Sequence, residues 1–181
     1  MIANAMRLLT LIVLAGVPIA AMGAPHPKAP PKAIKQFVLA PTDYGAAEAI
    51  FRRFLSDTKP TDADTNDVRF ISCGSDHSDL PVDFLARFRS NSVVVMNGSA
   101  SEIRAVRREG RIERVVAERK GKREGLGIAL CSLTIAKDSA EATVMTVSAG
   151  ITTVSWTVKL KWDGASWRVT EKIQGFIACF G

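Results

Sequence analysis

Residues 152–162 read Thr152-Thr153-Val154-Ser155-Trp156-Thr157-Val158-Lys159-Leu160-Lys161-Trp162. On an extended chain Val154, Trp156, Val158, Leu160 and Trp162 fall on one side. Thr153, Ser155, Thr157, Lys159 and Lys161 fall on the other. Strand side chains alternate with period two, so this stretch predicts a half-buried strand of an antiparallel sheet. Asp163-Gly164 supplies a hairpin turn, and Trp167–Ile173 returns as the next strand. Upstream, Glu141–Ala149 reads as the preceding strand, joined through a turn near Gly150.

Earlier segments are shorter and less regular. Nine of the twenty residues from Arg104 to Arg123 are Arg or Lys. Gly110 and Gly121 argue against one continuous helix there. The reading is a strand over Ile112–Glu118, a turn at Lys120-Gly121-Lys122 and a strand over Leu126–Ile135. Ser92–Asn97 is a strand ending at Gly98. A short helix is expected from Leu80 to Phe88, with Pro81 in its first turn and Val82, Leu85 and Phe88 on one face. Val68–Ser72 is a short strand, followed by the polar turn Cys73-Gly-Ser-Asp-His-Ser-Asp. Ser56–Asp67 is polar, holds Pro60 and reads as a loop. Before it, Asp43–Leu55 places Tyr44, Ala47, Ile50, Phe51, Phe54 and Leu55 at helical spacing, with Glu48 and Arg52 as an i,i+4 pair. Thr42 or Asp43 is placed to cap its first turn. Helices come first and a meander of strands last. The fold class is α+β: a curved antiparallel sheet packed against N-terminal helices.

The first residues have a different character. Arg7 is followed by an apolar run from Leu8 to Met22, and Ala21-Met22-Gly23 supplies small residues at the −3 and −1 positions. This is the pattern of a secretory signal peptide cut after Gly23. The run is shorter than the roughly 20 residues of a spanning helix. Residues 24–41 begin with four prolines and three lysines by Lys35 and read as a solvated linker. Residues 42–181 then form a single α+β domain. Removing residues 1–23 leaves 158 of 181, about one domain, and takes Arg7 as the only charged residue, so the net charge falls from +6 to +5. An excess so small implies little long-range steering, and no nucleic-acid motif is present. Three cysteines, Cys73, Cys131 and Cys179, allow three alternative single disulfides or none, and no Cys-x-x-Cys supports a redox motif or zinc site.

The order helix, short strand, short helix and long antiparallel strands, ending in Lys159-Leu160-Lys161-Trp162-Asp163-Gly164-Ala165-Ser166-Trp167-Arg168-Val169, resembles the nuclear-transport-factor-2-like superfamily. The resemblance is strongest over residues 43–55 and 126–173. It implies a cone-like α+β fold, and its ending is similar to that of exported bacterial members. The superfamily holds enzymes and binding modules alike, so the resemblance implies no activity.

Four groups of residues are candidates for function. Glu171 shares a strand face with Trp167, Val169 and Ile173, which would aim a carboxylate into the apolar interior, where desolvation suits it to acid/base catalysis; the competing reading is a strand-end Glu paired with an Arg or water at the rim. Trp156, Trp162, Trp167 and Tyr44 would line a ligand pocket or fill the core. Asp76-His77-Ser78-Asp79 could bind a metal or move a proton, but neighbours in one turn rarely converge on an ion, and capping of the next helix competes with that reading. Arg107, Arg108, Arg111, Arg119, Lys120, Lys122 and Arg123 would contact an anionic partner, or form a solvated charged hairpin. No cofactor and no metal is expected. The partners expected are a small ligand or another exported protein, not nucleic acid, with membrane contact only through an uncleaved leader and oligomerisation open. The leading expectation is an exported ligand- or protein-binding domain without catalytic activity. Its rivals are a small hydrolase- or isomerase-like enzyme using Glu171, and an inhibitor or immunity-type protein.

Overall fold

A computed structural model describes residues 37–57, 68–74, 76–148 and 152–179. The leader, most of the linker, the loop at 58–67 and the turn near Gly150 lie outside the described residues. Among the described residues, no helix is long and apolar enough to cross a membrane.

The chain enters through a 3-10 turn over Pro41–Asp43 into helix α1, Tyr44–Asp57. Tyr44, Ala46, Ala47, Ile50, Phe51 and Phe54 are buried, the amphipathic stripe expected from their spacing. Glu48 meets Arg52 at 2.8 Å and Arg87 at 2.8 Å. Burial alone would raise the Glu48 carboxyl, but hydrogen bonds from Arg87 and Arg52 outweigh it and hold the group below the usual range. Packing also starts earlier than the boundary at residue 42, because Leu39 is only 3% exposed and Phe37 lies against the core.

Strand β1, Val68–Cys73, is buried along its whole length. The chain then passes through α2, Val82–Leu85, and a 3-10 turn over Ala86–Phe88 to reach β2, Val94–Asn97. Phe84 and Phe88 face the core, whereas Val82 is 76% exposed, so the buried face differs from the Val82-Leu85-Phe88 face expected. The helix is one turn long, and its register is set by the rings of Tyr44 and Phe51, which Phe84 meets at 4.8 and 6.0 Å.

Next come β3, Ser101–Arg108, and β4, Arg111–Glu118. They pair along their full length and close at Glu109-Gly110, both with positive φ (49° and 79°), as a two-residue hairpin turn favours. β5, Glu124–Ala136, β6, Ser139–Ser148, β7, Thr152–Trp162, and β8, Trp167–Cys179, form the antiparallel meander.

The strands make one open sheet in the order β2-β1-β5-β6-β7-β8, and the β3–β4 ribbon joins it through β4 and β5. The sheet is mixed rather than wholly antiparallel, because β1 runs parallel to both β2 and β5. For β2 the cause is the crossover through α2, which returns the chain in its original direction; β5 runs the same way after the β3–β4 ribbon. A parallel strand buried on both faces shows no alternation, so its direction left no trace in the sequence.

The main core lies between α1, α2 and one face of the sheet. It includes Ile50, Phe51, Phe54, Ile71, Phe84, Ile128, Leu130, Val144, Val158 and Leu160. On β7, Val158 and Leu160 are buried and Lys159 and Lys161 exposed, as the alternation requires.

Candidate functional site

Ile71, Cys73, Ile128, Leu130 and Val144 point toward α1. Strand alternation therefore turns Phe70, Ser72, Gly127, Ala129, Met145 and Val147 to the opposite face. A second, smaller core forms there from Val68, Phe70 and Val116, with Met96, Ala100 and Val147 against it. The ribbon contributes Val116 and Ile103, and between ribbon and sheet lies a cavity of about 240 Å³. Its lining is mostly apolar, and its polar members are Ser72, His77, Ser101 and Glu102.

Ser72 and His77 flank one tight turn. A backbone bridge between Cys73 and Ser78 closes it, and Gly74 N–H donates to Leu130 O at 2.9 Å. His77 sits at φ +56°, a left-handed conformation that costs a side-chain-bearing residue about 1 kcal/mol or more. The turn brings Ser72 Oγ within 3.4 Å of His77 Nδ1, and the imidazole tautomer decides which of them donates. Gly98 completes the corner. A Cβ there would lie 2.8 Å from Ser72 Cβ and 3.3 Å from His77 O, so only glycine lets the 3-10 turn Gly98–Ala100 close on the pair. Asp79 fastens that turn, accepting from Ser99 N–H at 2.9 Å and Ser99 Oγ–H at 2.6 Å. It therefore ties two loops together rather than capping α2. Ser101 Oγ–H donates to Gly98 O at 2.7 Å. Glu102 is neutralised by Arg104 at 2.6 Å, and that guanidinium also donates to Gly121 O and Glu118 O.

Two further hollows flank β2. One of about 330 Å³ lies between α2 and β2 and includes Arg89 and Asn91. Another of about 190 Å³ lies beside Arg52, Leu55 and Asn91. The first is larger, but it lacks the combination of apolar walls with a facing hydroxyl and imidazole that distinguishes the cavity beneath the ribbon.

Glu171 does not face the core. β8 carries a bulge: Leu160 pairs with Val169, and the next residue, Lys159, pairs with Glu171. The extra residue, Thr170, reverses the alternation, so Val169 stays inward and Glu171 turns to solvent. There it meets Lys159 at 2.7 Å, with both side chains nearly half exposed. The acid/base reading of Glu171 is thereby corrected. Glu171→Gln is expected to shift stability by no more than about 0.5 kcal/mol in urea unfolding, as exposed ion pairs do. A loss of several kcal/mol would contradict this placement.

The same bulge turns Lys172 inward. Its Nζ lies 4.1 Å from the centres of the Phe54 and Trp156 rings and 3.0 Å from Asp57 Oδ2. Lys172→Met keeps the length and removes the charge. It is expected to cost about 1 kcal/mol in the same titration, the scale of a partly desolvated cation–π contact with an ion pair. An unchanged midpoint would show that the ammonium contributes only its packing.

The aromatic residues expected to wall a pocket do other work. Trp156 packs edge-on against Phe54 at 6.0 Å, and its Nε1–H donates to Thr146 Oγ1 at 3.0 Å. Tyr44 is buried against Phe84 and donates its hydroxyl hydrogen to Asp83 Oδ1 at 3.2 Å. Trp162 and Trp167 face each other at 5.6 Å across the hairpin end. None of the four lines the cavities described above: Tyr44, Trp156 and Trp167 pack with the core on the helix side, and Trp162, 38% exposed, sits at the hairpin end.

The basic residues divide. Arg108 meets Glu124 at 2.5 Å and Glu113 at 3.9 Å. Arg123 chelates Glu118, and its guanidinium holds that carboxyl below the usual range. Arg119 donates to Ser101 O at 3.2 Å. Arg107, Arg111, Lys120 and Lys122 remain exposed. Cys73 is buried and Cys131 partly so; both are free thiols, and burial pushes both thiols up.

Ser72 and the cavity walls were not anticipated. A local signal existed: a serine closing a buried strand and a histidine five residues on, across a glycine turn. Comparison with protein-family models, with curated proteins and with solved structures returns no match.

Proposed function

We propose that this chain is an exported binding domain that holds a small, mostly apolar ligand in the cavity between the β3–β4 ribbon and the outer face of β1, β5 and β6. The observation that carries the reading is the cavity itself: about 240 Å³, walled by Phe70, Ile103, Val116, Met145 and Val147, with Ser72 and His77 at one side. Apolar hollows with a few convergent polar groups are where proteins hold small ligands. The leader over residues 1–23 supports export. The likeness to the nuclear-transport-factor-2-like superfamily, with its cone-like form, belongs to the same proposal. The packing of α1 on a meander of long strands supports it. The solvent-facing placement of Glu171 takes away the ground for the enzyme alternative.

Gly127 provides the test. A Cβ at Gly127 would meet Val147 Cβ at 3.6 Å, an ordinary contact, and the position lines the cavity. Gly127→Leu should fill the space without unfolding the sheet. The expected result is that the purified protein enhances the fluorescence of the neutral probe N-phenyl-1-naphthylamine. Gly127→Leu should weaken that binding at least tenfold while melting as a cooperative unit. Equal binding by wild type and variant would place the ligand elsewhere.

A further inference from the structure

Resting on that assignment, we infer that the ligand carries one uncharged hydrogen-bonding head, a hydroxyl or carbonyl, seated against Ser72 and His77, on a short apolar body. Ser72 is 3% exposed and its residue lines the cavity. Its hydroxyl stands 3.4 Å from His77 Nδ1, at the long end of hydrogen bonding, so the two groups hold each other weakly. A ligand oxygen between them replaces one weak bond with two better ones. A hydroxyl and an imidazole together offer both a donor and an acceptor, which matches a group that accepts and donates.

Charge selects against an ionised head. Asp76 and Asp79 flank His77 on its own turn, and Glu102 lines the cavity. Of the guanidiniums that touch lining residues, Arg104 is committed to Glu102 and to two backbone carbonyls, and Arg119 donates to Ser101 O. A carboxylate would therefore enter beside Asp76 and Asp79, where the guanidiniums that touch the lining residues are already engaged. An ammonium would lose its hydration against Phe70 and Met145, and the carboxylates near it are already engaged, Glu102 with Arg104, Asp76 with Ser78 and Asp79 with Ser99. Size guides the rest: a hollow of about 240 Å³ suits a short alkyl chain or a single ring.

Displacement of N-phenyl-1-naphthylamine by 1-octanol, octanoate, octylamine and octane tests this. Octanol is expected to displace the probe at concentrations at least tenfold below octanoate and octylamine. Ser72→Ala should lower the preference for octanol over octane about tenfold while leaving the affinity for octane unchanged. Octanoate or octylamine matching octanol would overturn the uncharged head. An octanol preference that survives Ser72→Ala would overturn the role of Ser72. Either result leaves the cavity standing as a binding site. Probe binding that Gly127→Leu fails to weaken would instead overturn the cavity itself, and with it the function proposed above.

Discussion

Replacing Phe84 by alanine is expected to lower the free energy of unfolding by about 3–5 kcal/mol. The ring is fully buried. It stands 4.8 Å from Tyr44, 6.0 Å from Phe51 and 5.5 Å from Phe88, so it joins α1 to the segment that carries the chain from β1 to β2. α2 is only four residues long and has no stability of its own, since helix nucleation is unfavourable and is repaid only by tertiary contact. Its place in the fold therefore depends on what it buries. Removing the ring leaves a cavity lined by other aromatic groups that cannot collapse without moving α1. Val82→Ala, two residues earlier and 76% exposed, is the control and should change stability by no more than about 0.5 kcal/mol. Urea titrations of both variants decide the matter. A Phe84→Ala protein as stable as Val82→Ala would contradict the packing described for this helix.

Phe84 also shows where the sequence was legible and where it was not. α1 and β7 were readable because each buries one face and wets the other, which imprints a period on the chain. The crossover after β1 contains helical turns too short to repeat a pattern, so the sequence suggested a helix without identifying its buried face. β3 failed for the opposite reason. Ile103 and Arg107 share one face of the ribbon, Arg104 and Val106 the other, and Ile103 is 61% exposed. A strand wet on both sides carries no alternation, so residues 101–108 gave no strand signal. Glu171 failed through a single inserted residue. The alternation Trp167-Val169-Glu171 is present in the sequence, and only the bulge at Thr170, a tertiary property of the β7–β8 pair, reverses it. The candidate site was hidden in the same manner. Ser72 and His77 are neighbours across a turn, but the wall that makes them a corner comes from Gly98 and from a ribbon contributed thirty residues later.

The larger of the two backbone effects concerns Gly125. Gly125→Ala is expected to destabilise the protein by about 3 kcal/mol or more, at or beyond the upper end of what overpacking costs. Gly125 sits between two strands, paired with Val68 of β1 and with Val116 of β4. A Cβ placed there would fall 1.8 Å from Val68 O and 2.7 Å from Val68 C. These are backbone atoms of a ladder that runs in register from Val68 to Cys73, so they cannot swing aside as a side-chain end can. Either β1 detaches at its start or β5 bends away from β4. Gly127→Ala, two residues along the same strand, is the matched comparison. Its Cβ would meet only Val147 at 3.6 Å, and alanine is preferred to glycine in a strand by about 0.5–1 kcal/mol, so stability should hold or rise slightly. Urea unfolding distinguishes the pair. Equal midpoints would mean that β1 does not approach Gly125 as closely as described. The contrast also separates fold from function. Gly125→Ala should lose the cavity because β1 carries Phe70 and Ser72 and β4 carries Val116, whereas a bulky residue at 127 should close the cavity while leaving both strands in place. One glycine is needed so that the strands can meet; the other leaves the space between them open.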